Sequence, residues 1–295
     1  MRTYQFLTLD VFTTTRFAGN PLAVIPDAMG MSDAQMQSIA AEFNLSETTF
    51  VLPPEQPGNT ARVRIFHRTA EMPFAGHPNV GTGWALAARA KDDLLRFEEI
   101  AGLVEVRLSR DAAGAVAEAW VAAPQPLQLG AELPVAMIAA CAGLAEVDLL
   151  AGAHPPRLAS VGTMFVLAET TPEALSRAQP VLAAFREAAA SVPHVGPVRL
   201  SVYLYARMGG QHVRSRMFGP LSGTWEDPAT GSAATPLAGL LLHLSGREEG
   251  AWDILQGVEM GRPSLLRTTA HRTAGGIMTA VGGACVPVMR GEITV

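Results

Sequence analysis

Two segments of this chain read as helices without a polar face. Residues 79–89 (NVGTGWALAAR) and 231–244 (GSAATPLAGLLLHL) are apolar or small on every side and uncharged over most of their length. Such a helix cannot lie on a surface and has to be enclosed by other structure. The two begin about half the chain apart, each among many short segments that alternate with period two, the sign of half-buried strands. Residues 62–66, 104–108 and 198–204 alternate most clearly, and 5–12, 49–52, 117–121, 164–168, 213–218, 276–281 and 292–295 are further strand candidates. The simplest architecture is α+β: two domains of similar plan, each a strongly curved, mostly antiparallel sheet wrapped around one buried helix. Pro124, Pro126 and Gly130 mark the crossing between the halves, which predicts a boundary after residue 122. Amphipathic surface helices are expected at 32–43, where Ser32 caps and Met36, Ile39, Ala40 and Phe43 share a face, and at 133–142 and 180–190.

Composition narrows the class. Hydrophobic residues make up 48% of the 295 and charged residues 17%, which excludes a disordered chain and points to a large core. A formal net charge of −5 argues against nucleic acid as the partner, because phosphate binding needs a surplus of Lys and Arg on one surface. The two cysteines, Cys141 and Cys285, are too few for a disulfide framework and too far apart for a zinc motif. A reduced, cytoplasmic setting is the expectation. The first residues lack the apolar run of a signal peptide. The charge-free stretch 228–246 is too polar and broken for a lipid span, so no membrane partner is expected.

Both enclosed helices are entered through a small-residue turn containing proline: Gly76-His77-Pro78 and Asp227-Pro228-Ala229-Thr230-Gly231-Ser232. A helix start exposes unpaired N–H groups and the positive end of the dipole, so it attracts anions. Two such starts facing one ligand suit a small molecule carrying a carboxylate. Each turn is flanked by a titratable residue, His77 or Asp227. Taken singly, a histidine is usually structural and an aspartate before a helix usually a cap. Glu47, in NLSETTF, reads by default as a surface carboxylate, and Asn20, in Gly19-Asn20-Pro21, as a turn residue. Phosphate-loop, dinucleotide-binding and nucleophile-elbow motifs are missing, and no His pair has metal-ligand spacing.

The segments DVFTTTRFAGNPLAVI (10–25), NLSETTFV (44–51), RIFHRTAEMPFAGHPNVGTGWAL (64–86), EDPATGSAA (226–234) and GRPS (261–264) closely resemble the phenazine-biosynthesis PhzF-like family, relatives of the diaminopimelate epimerases and proline racemases. The resemblance implies the diaminopimelate epimerase-like fold, with pseudo-symmetric domains at 1–122 and 123–287, strand 288–295 returning to the first, and the site in the inter-domain cleft. It also implies a homodimer working without metal or organic cofactor. By position, the family's catalytic carboxylate falls on Glu47, its site histidine on His77 beside Gly76, and its second acid on Asp227. The substrate-carboxylate contacts fall on Gly231 and Ser232, and Asn20 fits a turn near the ligand.

One departure decides between chemistries. The thiol racemases of this superfamily use two cysteines, one on each face of the substrate carbon, whereas here the matching turns carry no cysteine. Moving a proton between carbons on one face needs only a single carboxylate. The expected function is therefore a cofactor-independent isomerase with Glu47 as acid and base. The alternatives are an epimerase using Glu47 and Asp227 as opposed bases, or a non-catalytic small-molecule-binding protein of the same fold.

Overall fold

The computed structural model describes residues 1–192 and 200–295. Of the strand expected at 198–204, residues 198 and 199 lie outside the described residues. The chain forms two compact units, Met1–Ala122 with Gly282–Val295, and Ala123–Val281.

In the first unit the final strand, Cys285–Thr294, lies antiparallel to the first, Thr3–Val11, which pairs on its other side with Asn20–Ile25. The sheet continues through Glu47–Leu52, Ala61–His67, Leu94–Glu99, Gly102–Arg110 and Val116–Ala122. Two of these pairings are parallel: Asn20–Ile25 with Glu47–Leu52, and Ala61–His67 with Leu94–Glu99. The helix Gly76–Ala85, the first central helix, packs against six of these strands. It is therefore wrapped by the sheet, and its residues from Gly76 through Gly83 are all buried. The other face of the sheet is covered by the helix Asp33–Phe43, whose Met36, Ile39 and Ala40 pack with Tyr4, Ile25, Phe50 and Phe66. Ser32 caps that helix in a reciprocal capping box with Gln35.

The second unit repeats the plan. Its strands include Arg157–Ser160, Met164–Glu169, Val202–Gly209, His212–Gly219, Glu249–Gln256 and Ser264–Thr273. Again two pairings are parallel, Met164–Glu169 with Val202–Gly209 and His212–Gly219 with Glu249–Gln256. The helix Gly231–Ser245, the second central helix, packs on Ser264–Thr273, Glu249–Gln256, Arg157–Ser160 and Met164–Glu169. Helices Val135–Cys141 and Leu182–Ser191 cover the outer face, burying Ile138, Phe185, Leu204 and Phe218. Among the described residues no helix is long and apolar enough to cross a membrane.

The first central helix begins at Gly76, earlier than the expected 79, and ends at Ala85, with a separate short turn at Ala87–Arg89. Gly76, His77 and Pro78 form its first turn instead of a lead-in. Proline is tolerated there because the first N–H groups have no intrahelical acceptor.

Packing around this helix leaves no room for added atoms. A Cβ on Gly83 would sit 2.5 Å from Val106 Cγ1, and one on Gly81 would sit 2.4 Å from Leu22 Cδ2. Val106 is stiff at χ1 and fully buried, so it cannot yield. Gly83→Val is expected to destabilise the protein by about 1–3 kcal/mol through overpacking, measured as a lowered urea midpoint with unchanged slope. An unchanged midpoint would contradict this packing.

Candidate active site

Asn44 ends the helix Asp33–Phe43 in the left-handed conformation (φ 52°), its N–H returning to the Ala40 carbonyl. Three residues later Glu47 opens a strand. Alternation along that strand turns Phe50 to the outer core and Thr49 to the central helix, where the Thr49 and Thr82 hydroxyls are hydrogen-bonded at 2.9 Å. Glu47 shares the inner face with Thr49. Its Oε2 lies 3.1 Å from Nδ1 of His77, the second residue of the first central helix. Glu47 is thus an inward-facing, largely enclosed carboxylate, not the surface group that pattern alone suggests.

His77 is fully enclosed, and loss of hydration pushes its pKa down to about 3, opposed by a hydrogen bond with the Pro21 backbone. The imidazole is therefore neutral at physiological pH and carries one proton. Proline has no backbone N–H, so the Pro21 carbonyl accepts the ring proton, which sits on Nδ1, the nitrogen that also faces Glu47 Oε2 at 3.1 Å. Nε2 is then a bare acceptor, buried without a hydrogen-bond partner among the described residues.

Asn20, fully buried, opens the strand Asn20–Ile25 opposite Val11. The chain enters this strand through Gly19 at φ +67°, where a Cβ would lie 2.4 Å from the Val11 carbonyl oxygen, so only glycine fits. Ahead of it Phe17 is also left-handed (φ 69°), its N–H donating to Asp10 Oδ2 at 2.6 Å. The first unit thus brings Glu47, His77 and Gly76 together, with the Asn20-Pro21 turn beside the histidine.

In the second unit Asp227 ends the strand Thr224–Asp227 and is buried. Thr230 is the N-cap residue of the second central helix, and its Oγ1 donates to Asp227 Oδ2 at 2.5 Å. Gly231, buried, and Ser232, half-buried, are the first two helical residues. Gly76-His77 and Gly231-Ser232 therefore hold equivalent places in the two central helices, where free N–H groups suit an anion.

Sequence reasoning missed several groups. Gln256, Tyr203 and Ser215 form a buried network with Thr230. Their polar character is hidden in strands that alternate like any other, and only the nearby GRPS motif hints at them. Glu99 was also missed. Burial pushes its carboxyl up to about 8, and nearby Asn79 of the first central helix opposes the shift. Both cysteines are buried, and burial drives the Cys141 thiol up to about 12 and the Cys285 thiol higher. Among the described residues no group of three or more His, Cys, Asp or Glu could hold a metal ion.

The family model described as phenazine biosynthesis-like protein (PhzC-PhzF) matches residues 9–291. An uncharacterized isomerase of Mesorhizobium japonicum is 41% identical over 305 residues, covering 99% of each chain. The trans-2,3-dihydro-3-hydroxyanthranilate isomerase of Pseudomonas aeruginosa is 38% identical over 274 residues, covering 91% of each. Among solved structures, a PhzF-family phenazine biosynthesis protein of Bacillus anthracis superposes with a TM-score of 0.87 at 24% identity, covering 100% of both chains.

The neutral state of His77 has a consequence for acid stability. The unfolded chain binds a proton on this residue below about pH 6.5 and the folded chain only near pH 3, so stability falls as pH drops through that window. Between pH 7.5 and 5.5 the loss assigned to His77 is on the order of 1 kcal/mol. Urea titrations of the wild type and His77→Asn should differ by that amount in their pH dependence, and parallel curves would refute the neutral assignment.

Proposed function

Since the chain belongs to the phenazine biosynthesis-like PhzF family and is an isomerase of that type, we propose that it shifts a proton within a small carboxylate-bearing metabolite, with Glu47 as the acid–base group. The observation that carries this reading is the Glu47–His77 pair, 3.1 Å apart at the start of an enclosed helix. In the proposed reaction the Glu47 carboxylate removes a proton from a carbon whose electrons can delocalise. The resulting carboxylic acid then delivers that proton to a second carbon on the same face. The base is regenerated, and no atom or electron is exchanged with a third party.

The Nδ1 edge of neutral His77, 3.1 Å from Glu47, packs the carboxylate in place through both steps, and the ring itself carries no charge. The proposal puts the site in an inter-domain cleft, as the family resemblance implies. There the N–H groups at Gly76 and at Gly231 and Ser232 hold the substrate carboxylate and stabilise negative charge during deprotonation, Asn20 lines the ligand, and Asp227 is the second acidic group. Thiol racemisation is disfavoured because both cysteines are buried, with thiols that resist ionisation.

The name of the P. aeruginosa relative supplies the first compound to test. The protein is incubated in deuterium oxide with trans-2,3-dihydro-3-hydroxyanthranilate and a panel of cyclic and amino-acid-like acids, and exchange is followed by NMR. The wild type should incorporate solvent deuterium, and Glu47→Gln should slow incorporation by at least about 10²-fold. Absence of exchange in every compound, or full exchange by Glu47→Gln, would defeat the proposal. Loss of optical rotation without migration of a double bond would instead favour an epimerase with Asp227 as the opposing base.

A further inference from the structure

The turn that enters the second central helix is held by a chain of buried side chains that ends at Asp227. Ser215 Oγ donates to Tyr203 Oη at 2.8 Å, and Tyr203 Oη donates to Gln256 Oε1 at 2.9 Å. Gln256 Oε1 also accepts the Thr230 backbone N–H at 3.2 Å. The Gln256 amide nitrogen donates twice, to the Asp227 carbonyl oxygen at 2.8 Å and to Thr230 Oγ1 at 3.0 Å. The Thr230 hydroxyl hydrogen then reaches Asp227 Oδ2 at 2.5 Å. Tyr203 and Gln256 are completely buried, and Ser215 and Thr230 nearly so.

Counting hydrogens fixes the direction of this chain. Gln256 uses both amide hydrogens and both oxygen lone pairs. Flipping its amide would set an NH₂ against the Thr230 N–H and an oxygen against the Asp227 carbonyl, so a single orientation is allowed. With Thr230 Oγ1 receiving from Gln256, its own hydrogen is directed at the aspartate. The side-chain bonds from Ser215 through Tyr203, Gln256 and Thr230 thus point donors toward the Asp227 carboxylate, while the Thr230 N–H donates back to Gln256 Oε1 and holds its amide in place. A protonated Oδ2 would face that donor with a hydrogen of its own.

The backbone locks the same turn from behind. Gly257, at φ +75°, is so close that a Cβ there would lie 2.6 Å from the Pro228 carbonyl oxygen and 2.5 Å from that of Arg262. The Arg262 N–H returns to the Gly257 carbonyl at 3.0 Å, and Ser264 Oγ donates to the Arg262 carbonyl at 3.0 Å. The GRPS segment therefore buttresses the Asp227 turn.

We propose that Gln256 and Thr230 are positioning residues that fix one Asp227 carboxylate oxygen and keep the group ionised, so that Asp227 serves as a fixed negative charge and acceptor and Glu47 alone carries the moving proton. The role given to Asp227 rests on the reaction proposed above, whereas its charge state is a property of the protein alone. Tyr203, the titratable partner in the chain, stays a neutral donor because burial drives its phenol further above its usual range.

The test is the titration of the Asp227 carboxyl, read by ¹³C NMR of protein labelled at aspartate and assigned through Asp227→Asn. Thr230→Val removes the final donor at nearly constant volume and should raise the Asp227 midpoint by at least about one pH unit. Thr230→Ser keeps the hydroxyl and should restore the wild-type midpoint. Should Thr230→Val fail to fold, Gln256→Met cuts the chain one step earlier and should raise the midpoint in the same direction. Equal midpoints in the wild type and the hydroxyl-free variant, or a Ser variant that behaves like Val, would overturn the proposal. Because the readout needs no substrate, a failure of deuterium exchange would count against the proposed reaction and leave this result standing.

Discussion

Enclosing an uncharged helix inside a curved sheet is the constraint on which the rest of this molecule depends. Neither central helix has a polar face, so each unit must supply strands on all sides of it, and those strands must be apolar on the inner face. In the first unit the fit is close enough that Gly81 and Gly83 have no space for a methyl group. Rigid enclosure fixes where the helix begins. With the first helical turn immobile, the residues at its N-terminus can be aimed. His77 and Ser232 occupy the same helical position, one residue after a glycine in each unit. The duplicated parallel pairings in the two sheets carry the same plan into the topology.

Burial also sets the chemistry of each group. An exposed imidazole beside a carboxylate would gain a proton and form an ion pair. His77, stripped of water, stays neutral and lies against Glu47 without forming a full ion pair. In the second unit the corresponding role of keeping a carboxylate in order passes to neutral donors, Gln256 and Thr230. The two units hold their acids differently, as the proposed division of tasks between the two carboxylates requires.

Much of this was legible in the residues. The lack of charge in 79–89 and 231–244 foretold enclosed helices, because no other arrangement buries them. Ser32 and the spacing of Met36, Ile39 and Ala40 marked the helix Asp33–Phe43 almost to the residue. Strands such as Glu249–Gln256 and Ser264–Thr273 escaped notice, since polar Gln256, Ser264 and Thr268 take buried positions and Leu265 an exposed one, which masks the alternation in the residue types. The inward turn of Glu47 was also hidden. It depends on where the strand begins after Asn44, and a shift of one residue would have sent the side chain to the opposite face. Gln256 was invisible for a different reason: its partners, Tyr203, Ser215, Asp227 and Thr230, lie on four other segments that only the fold assembles.

The pairing of Cys285–Thr294 with Thr3–Val11 bears on how the chain matures. A ribosome releases Thr3–Val11 long before its neighbour Cys285–Thr294, so the sheet around the first central helix cannot close until that distant strand has emerged. The unit spanning Ala123–Val281 is continuous and has all its strands in hand earlier. It is the half able to reach its native state first, while the half bearing Glu47 waits with an incomplete wall, exposed to chaperones and to premature association.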